Sequence, residues 1–206
     1  MCHPLGQSLF ITFLILIAIF CQILTRDAAM TDSKEVTVST LVVLGSGGHT
    51  SEMLRLISVL DGNKYKPIMF MVADTDKYSV NKLNNMKCDQ NILVVPRSRE
   101  VRQSWISTIL TTLMATAYCL ILLWKNRPKL LLCNGPGTCV PPCLVAWLFN
   151  KFLRKKTKIV FVESICRIKT VSLSGKILRY FADICLVQWQ ELAKQDNRLT
   201  YIARFT

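Results

Sequence analysis

The sequence predicts an α/β protein: a single Rossmann-like domain with a mostly parallel sheet, preceded by one N-terminal transmembrane helix. Short apolar runs typical of strands alternate with amphipathic helical stretches from residue 36 to the end of the sequence. The first of these runs ends in a turn that contains Gly45, Gly47 and Gly48 and leads directly into a helical pattern. A separate apolar run, residues 5–24, precedes the alternation.

The N-terminal run is long enough to cross a bilayer as a helix, which needs about 20 apolar residues. A cleaved signal peptide is the alternative, but no Lys or Arg precedes the run and residues 27–29 make a poor cleavage site. Arg26 and Lys34 follow the run. The positive-inside rule therefore places the N-terminus outside and the folded body in the cytosol. The predicted organisation is a tail of residues 1–4, an anchor of residues 5–24, a linker of residues 25–35 and a domain of residues 36–206.

The composition indicates an anionic partner and a reducing compartment. Lys and Arg number 26 against 13 Asp and Glu, a formal net charge of +13, which favours lipid headgroups or a phosphorylated ligand. Basic residues are not interleaved with aromatic residues, so we expect no nucleic-acid partner. The nine cysteines include no C-x-x-C pair, and the chain has two histidines. We therefore expect free buried thiols and no metal site.

Several of the later apolar runs are continuous, which is typical of parallel strands that helices cover on both faces. Residues 130–133 and 159–162 are two such runs. The pattern predicts strands near residues 37–44, 67–73, 91–95, 129–133, 158–162, 184–188 and 200–203. It predicts helices near residues 49–60, 76–85, 103–125, 138–150, 174–181 and 189–195.

Residues 105–124 form a second apolar segment with two alternative interpretations. A second transmembrane span would place the strands after it across the membrane from the glycine turn, which would divide the alternating pattern. The segment also contains five Ser and Thr residues, at positions 107, 108, 111, 112 and 116. We therefore expect a crossover helix that is partly buried in the domain and partly rests on the bilayer.

The glycine turn after the first strand predicts an anion site. A helix N-terminus presents unpaired N–H groups and the positive end of its dipole, which favours a phosphate. A dinucleotide fingerprint would need a third glycine where Thr50 stands, and no Gly-Lys-Ser/Thr follows for a Walker loop. The alternative is a purely structural turn. The candidate phosphate ligands in this loop are Ser46, Gly47, Gly48 and Thr50, and His49 lies among them.

Other strand ends add candidate ligands, because an open α/β sheet binds its ligand at the carboxyl ends of its strands. Asp74 and Asp76 resemble a D-x-D metal motif, but we interpret them as turn and helix-capping residues. Glu163 directly follows a strand and is a candidate acid, base or sugar-hydroxyl partner. The remaining candidate ligands are Arg97, Arg99, Asn134, Gly135, Gly137 and Arg167.

Five motifs in order resemble the membrane-anchoring subunit of the eukaryotic UDP-N-acetylglucosamine transferase that extends dolichyl-diphosphate-N-acetylglucosamine by a second sugar. The similarity begins near residue 36 and runs to the end of the chain. A similar arrangement belongs to the acceptor domain of the bacterial lipid-linked N-acetylglucosaminyltransferase of peptidoglycan synthesis. The motifs are residues 44–50, 96–100, 132–138, 162–167 and 172–176.

The resemblance implies the amino-terminal half of a GT-B glycosyltransferase at the endoplasmic reticulum membrane, single-pass with a lumenal N-terminus and a cytosolic domain. A separate soluble subunit would bind UDP-N-acetylglucosamine, while this chain would bind the lipid-linked acceptor, with no cofactor. The carboxyl-terminal tail would help to dock that subunit, through Tyr201, Ile202, Arg204 and Phe205.

For the chemistry, the resemblance suggests an inverting transfer with His49 or Glu163 as the base. We favour His49, because an imidazole titrates near neutral pH. Two alternatives remain open: a membrane scaffold that only recruits a complete soluble enzyme, and a nucleotide-sugar epimerase-like enzyme.

Overall fold

A computed structural model describes residues 37–86, 91–99, 103–153 and 156–203. The predicted tail, anchor and linker lie outside these residues. The strands are β1 (Thr40–Val43), β2 (Ile68–Ala73), β3 (Asn91–Val95), β4 (Leu130–Asn134), β5 (Lys158–Val162), β6 (Ile184–Val187) and β7 (Leu199–Tyr201). The helices are α1 (Gly48–Ser58), α2 (Lys77–Asn84), α3 (Trp105–Asn126), α4 (Val140–Phe152), α5 (Leu173–Leu178) and α6 (Gln190–Ala193).

The seven strands form one sheet in the order β3-β2-β1-β4-β5-β6-β7. Every neighbouring pair is parallel. The predicted alternation and the parallel sheet are therefore confirmed. The largest boundary differences are of three residues: β1 begins at Thr40 rather than near residue 37, and α5 ends at Leu178 rather than near residue 181. The order runs outward in both directions from β1 and β4, as in doubly wound folds.

Both faces of the sheet are buried, as the continuous apolar runs predicted. Leu41 and Val43 belong to one core cluster, together with residues of α3 and α4. Val42 and Leu44 belong to the other, together with Met53 of α1. Side chains along a strand alternate between faces, so a strand in the centre of the sheet contributes to both clusters.

Helix α3 connects β3 to β4 and is the crossover helix that the sequence predicted. Ala115, Cys119 and Leu123 are buried, and the helix packs mainly against α4. By length and composition Ile106–Asn126 would suffice to cross a membrane, with a mean hydropathy of 2.0 and 17% of its most apolar window buried. Because β3 and β4 belong to the same sheet, the fold does not support a second transmembrane span. The large hydrophobic side chains that α3 exposes are Ile106, Ile109, Leu110, Leu113, Met114, Tyr118, Leu120 and Ile121.

The two aspartates after β2 have the structural roles expected of them. Asp76 caps α2, where it accepts hydrogen bonds from the backbone N–H of Ser79 at 3.1 Å and from its hydroxyl at 2.5 Å. Asp74 accepts from the backbone N–H groups of Thr75 at 2.8 Å and Arg97 at 3.2 Å. Both carboxylates satisfy backbone donors, so the capping interpretation is confirmed.

Candidate functional site

A cleft of about 700 Å³ lies at the carboxyl ends of the strands. It opens where the loops after β1 and β4 meet, which is where the strand order changes direction. Seven of the sequence-predicted site residues line it: Gly48, His49, Arg99, Gly135, Gly137, Glu163 and Arg167.

The first loop ends in a helix N-terminus that has no side-chain cap. Gly47 occupies the cap position with φ of 66°, a left-handed conformation that favours glycine. Helices α2, α3 and α5 are capped by Asp76, Ser104 and Ser172 instead. The first N–H groups of α1 therefore remain for water or a ligand beside the cleft.

Thr50 lies outside the cleft, although the sequence made it a candidate phosphate ligand. It is fully buried, and its hydroxyl donates a hydrogen bond to the carbonyl of Gly45. The same oxygen lies 2.5 Å from the hydroxyl of Ser79. Thr50 thus holds the glycine turn in place, and we do not include it among the proposed diphosphate ligands.

The second glycine loop lies directly under the histidine ring. Gly135 has φ of 91°, and a Cβ at this position would clash with the imidazole of His49. A Cβ on Gly45 would clash with the ring of Pro136, so the two loops are in close contact. A 3-10 turn, Gly137–Cys139, then leads into α4, and neither the turn nor the helix has a side-chain cap.

A chain of hydrogen bonds runs from His49 through Asn134 and Glu52 to Ser164, and so links α1 to the ends of β4 and β5. The Nδ1 of His49 lies 3.0 Å from Oδ1 of Asn134. The Nδ2 of Asn134 donates to Oε2 of Glu52 at 3.0 Å. The other oxygen of Glu52 accepts from the hydroxyl of Ser164 at 2.9 Å. Asn134 is 2% exposed and lies beneath His49 rather than on the cleft surface.

Glu163 lines the cleft, but protein donors occupy its carboxylate. It is 1% exposed, and Oε2 accepts from the backbone N–H and the hydroxyl of Ser172, both at 2.9 Å. Its Oε1 accepts from the backbone N–H of Ser164 at 3.2 Å. A Cβ on Gly175 would crowd Oε2. The carboxylate therefore closes the loop between β5 and α5.

Among the described residues, the arginines that line the cleft are Arg99 and Arg167, which follow β3 and β5. Arg97 does not line the cleft, nor do Ser46 and Gly47, which are exposed. The hydroxyl of Ser98 is buried at the cleft and has no hydrogen-bond partner among the described residues. A buried polar atom of this kind indicates a place for a ligand or an ordered water.

The predicted buried thiols are confirmed for the described residues, with one exception. Burial raises the pKa of Cys185 to about 12. Burial, together with hydrogen bonds from Cys139 and Cys143, raises the pKa of Cys133 well above its usual range. Cys166 is the exception, because it is exposed and lines the cleft.

Sequence reasoning missed two groups of residues in the cleft. Glu52 lies three positions after His49 on α1, so the two side chains share a helix face. This spacing could have identified Glu52 as a neighbour of His49 from the sequence. Thr108 and Thr112 come from α3, which the sequence suggested for membrane contact rather than for the site. Nothing in the local pattern places one face of α3 beside the glycine loops.

The chain has the fold of the amino-terminal half of a GT-B-type glycosyltransferase, with a cleft at the carboxyl ends of the strands. MurG from Acinetobacter baumannii superposes with a TM-score of 0.60 at 12% identity, over 80% of this chain and 45% of that one. The UDP-GlcNAc 2-epimerase from Methanocaldococcus jannaschii gives a TM-score of 0.53 at 13% identity, again over 80% and 45%. The chain thus spans less than half the length of these structures.

The sequence comparisons identify the family. Residues 40–205 match the model described as "Oligosaccharide biosynthesis protein Alg14 like". The human UDP-N-acetylglucosamine transferase subunit ALG14 is 46% identical over 180 residues, which cover 82% of this chain and 83% of the human one. The Schizosaccharomyces pombe protein of the same name is 40% identical over 197 residues, 91% and 93% of the two chains. The chain belongs to the Alg14 family, which confirms the resemblance seen in the motifs.

Proposed function

We propose that this chain is the acceptor-binding and membrane-anchoring subunit of a UDP-N-acetylglucosamine transferase. The enzyme would add the second N-acetylglucosamine to dolichyl-diphosphate-N-acetylglucosamine. One observation carries the proposal: in a member of the Alg14 family, the cleft at the β1/β4 switch point places His49, on the uncapped first turn of α1, against the second glycine loop.

The acceptor diphosphate binds at the N-terminus of α1 and along the second glycine loop. The N-terminus of α1 contributes a partial positive charge of roughly 0.5. Arg99 and Arg167 supply full positive charges in the same cleft, and guanidinium groups bind phosphate oxygens in pairs of hydrogen bonds. The buried hydroxyl of Ser98, beside Gly137, is a further donor. The backbone of Gly135 lies against the imidazole of His49.

The reaction is an inverting glycosyl transfer. A hydroxyl of the acceptor sugar attacks the anomeric carbon of UDP-N-acetylglucosamine, the new C–O bond forms on the opposite face, and UDP departs with the electrons of the old bond. His49 accepts the hydroxyl proton as the general base, a role that contributes about 10²- to 10⁴-fold in rate. Glu163 stabilises the loop between β5 and α5 and is not the base, since its carboxylate already accepts three hydrogen bonds.

A separate soluble subunit supplies the donor site. The human and Schizosaccharomyces pombe relatives are each named a subunit of a UDP-N-acetylglucosamine transferase, which supports a second polypeptide that binds UDP-N-acetylglucosamine. The partner docks at the carboxyl-terminal end, next to edge strand β7, where Tyr201 is exposed and Ile202 is half-buried. Arg204 and Phe205 belong to the same proposed surface and lie outside the described residues.

Membrane attachment combines the N-terminal anchor with helix α3. Residues 5–24 span the endoplasmic reticulum membrane, with the N-terminus lumenal and the domain cytosolic. Thr108 and Thr112 of α3 line the cleft, while Ile109 and Leu113, the next residues along the chain, are each 61% exposed. The exposed apolar face rests on the bilayer surface, so that the headgroup of the lipid acceptor can enter the cleft beside it.

The test uses the chain in complex with its soluble partner, with acceptor binding and transfer measured separately. A Cβ at Gly48 meets nothing within 4 Å, so Gly48→Leu leaves the fold intact and fills the cleft beside α1. We expect it to weaken acceptor binding. His49→Ala should retain binding and lose about 10²- to 10⁴-fold in transfer rate. Unchanged acceptor affinity in Gly48→Leu would overturn the diphosphate site, and full transfer activity in His49→Ala would overturn the base role.

The scaffold alternative makes an opposite prediction. If the chain only recruits a complete enzyme, the soluble partner alone transfers sugar to acceptor in detergent at the rate of the complex. The proposed function requires both chains for activity. The epimerase-like alternative predicts tight binding of UDP-sugar by this chain alone, which isothermal titration measures directly.

A further inference from the structure

We propose that Glu52, acting through Asn134, fixes the tautomer of His49 so that Nε2 is its basic nitrogen. Glu52 is then a positioning residue for the transfer reaction. This inference rests on the proposed function for its catalytic meaning, but the tautomer itself is measurable without any activity.

The hydrogen-bonding capacities of the three side chains dictate the assignment. An ionised carboxylate only accepts hydrogen bonds. The Asn134 amide must therefore turn its NH₂ group towards Oε2 of Glu52, 3.0 Å away. That orientation turns Oδ1 towards Nδ1 of His49, also 3.0 Å away. Because an amide oxygen only accepts, Nδ1 carries the proton, and in the neutral ring the lone pair belongs to Nε2.

The opposite orientation of the amide is unfavourable. It would place Oδ1 of Asn134 against the carboxylate of Glu52, with two acceptors facing each other. It would also place the NH₂ group against Nδ1 of His49, and so favour the tautomer with its proton on Nε2. Asn134 is 2% exposed, so water cannot readily compensate for the lost hydrogen bonds.

The carboxylate is itself held in place. Its second oxygen accepts from the hydroxyl of Ser164 at 2.9 Å, so Glu52 bridges the last residue of β4 and the loop after β5. The ring of His49 lies against Gly135 on the other side. Because the residues that orient the imidazole come from α1, β4 and the β5 loop, the tautomer depends on the assembled strand ends.

The first measurement determines the tautomer by NMR. It uses the complex in which the histidines of this chain are labelled with ¹⁵N. The chain has two histidines, so His3→Gln identifies the signal of His49. At alkaline pH, where imidazole is neutral, we expect a protonated-type signal from Nδ1 and an unprotonated-type signal from Nε2. Mixed tautomers in the otherwise unaltered chain would overturn the proposal.

Three variants then separate positioning from folding. Glu52→Met removes both acceptor oxygens at similar side-chain length and should give a mixture of tautomers. Glu52→Gln keeps one acceptor oxygen for Asn134 and one donor for Ser164, so it should retain the Nδ1–H tautomer. Arg55→Met introduces a methionine at an exposed position of the same helix. It is the control for loss of a charged side chain from α1.

We expect Glu52→Met to lower the transfer rate by about 10- to 100-fold, less than the roughly 10²- to 10⁴-fold of a lost base. Glu52→Gln should recover most of that rate. A pure Nδ1–H tautomer in Glu52→Met would overturn the role of Glu52. If the tautomers shift as expected while His49→Ala retains full activity, the positioning is correct and the proposed base role is the part that fails.

Discussion

Gly135→Ala tests the contact on which the geometry of His49 depends. Gly135 has φ of 91°, so any other residue there is strained. A Cβ at this position would overlap Nδ1, Cγ and Cε1 of the imidazole. The methyl group therefore strains the backbone and displaces the ring from Asn134.

The expected loss of stability follows from two contributions. A non-glycine residue in such a conformation costs about 1–3 kcal/mol, and a lost hydrogen bond costs about 1 kcal/mol. Together they lower the free energy of unfolding by about 2–4 kcal/mol, which corresponds to about 4–16 °C in Tm for a domain of this size. A catalytic group displaced by about 1 Å loses about 100-fold in rate.

The assay compares thermal unfolding and transfer rate of the purified complex. Gly62→Ala is the matched control, because Gly62 is exposed and a Cβ there meets nothing within 4 Å. It should melt and react as the unaltered complex does. A Gly135→Ala complex with unchanged Tm and full transfer rate would refute both the left-handed backbone and the packing of His49 against this loop.

Two further predictions concern the surface of the domain. Lipid-phase photolabelling of the membrane-bound complex should mark the tryptic peptide of residues 103–125, and Ile109→Gln with Leu113→Gln should reduce that labelling, because both side chains are exposed on α3; an unlabelled α3 beside a labelled anchor would contradict its contact with the bilayer. An alkylating reagent at neutral pH should modify exposed Cys166 well before Cys185, whose pKa of about 12 keeps the thiol protonated. Bound acceptor should slow the reaction at Cys166, as measured by peptide mass spectrometry; equal rates with and without acceptor would place the ligand away from this loop.

Much of the fold was predictable because its signals are local. The apolar runs of β4 and β5 are continuous, so they indicated strands covered on both faces, and both are buried in the structure. Gly47 and the prolines at the start of α4 marked helix starts by their own backbone preferences. Each of these signals depends on a few neighbouring residues, which a single sequence displays directly.

The candidate site was only partly predictable, because its contacts join distant residues. Glu52 lies 82 residues from Asn134 and 112 from Ser164, and no local pattern relates them. Thr50 shows the reverse case: its position in the glycine motif suggested a ligand, but packing against Ser79 buries it. Glu163 lies at the predicted strand end, yet its donors come from the loop that folds back to Ser172.

By itself, the sequence determined the alternation of strands and helices, the parallel sheet and the edge at which the glycine loops, arginines and histidine would gather. These follow from hydrophobic period and backbone preference. Only the tertiary structure decided how those side chains are used. It orients Asn134 between Glu52 and His49, removes Thr50 from the ligand surface and exposes one face of α3 while the other lines the cleft. The direction of a hydrogen bond and the burial of a side chain depend on which strand ends meet in space, and the strand order of the sheet brings them together.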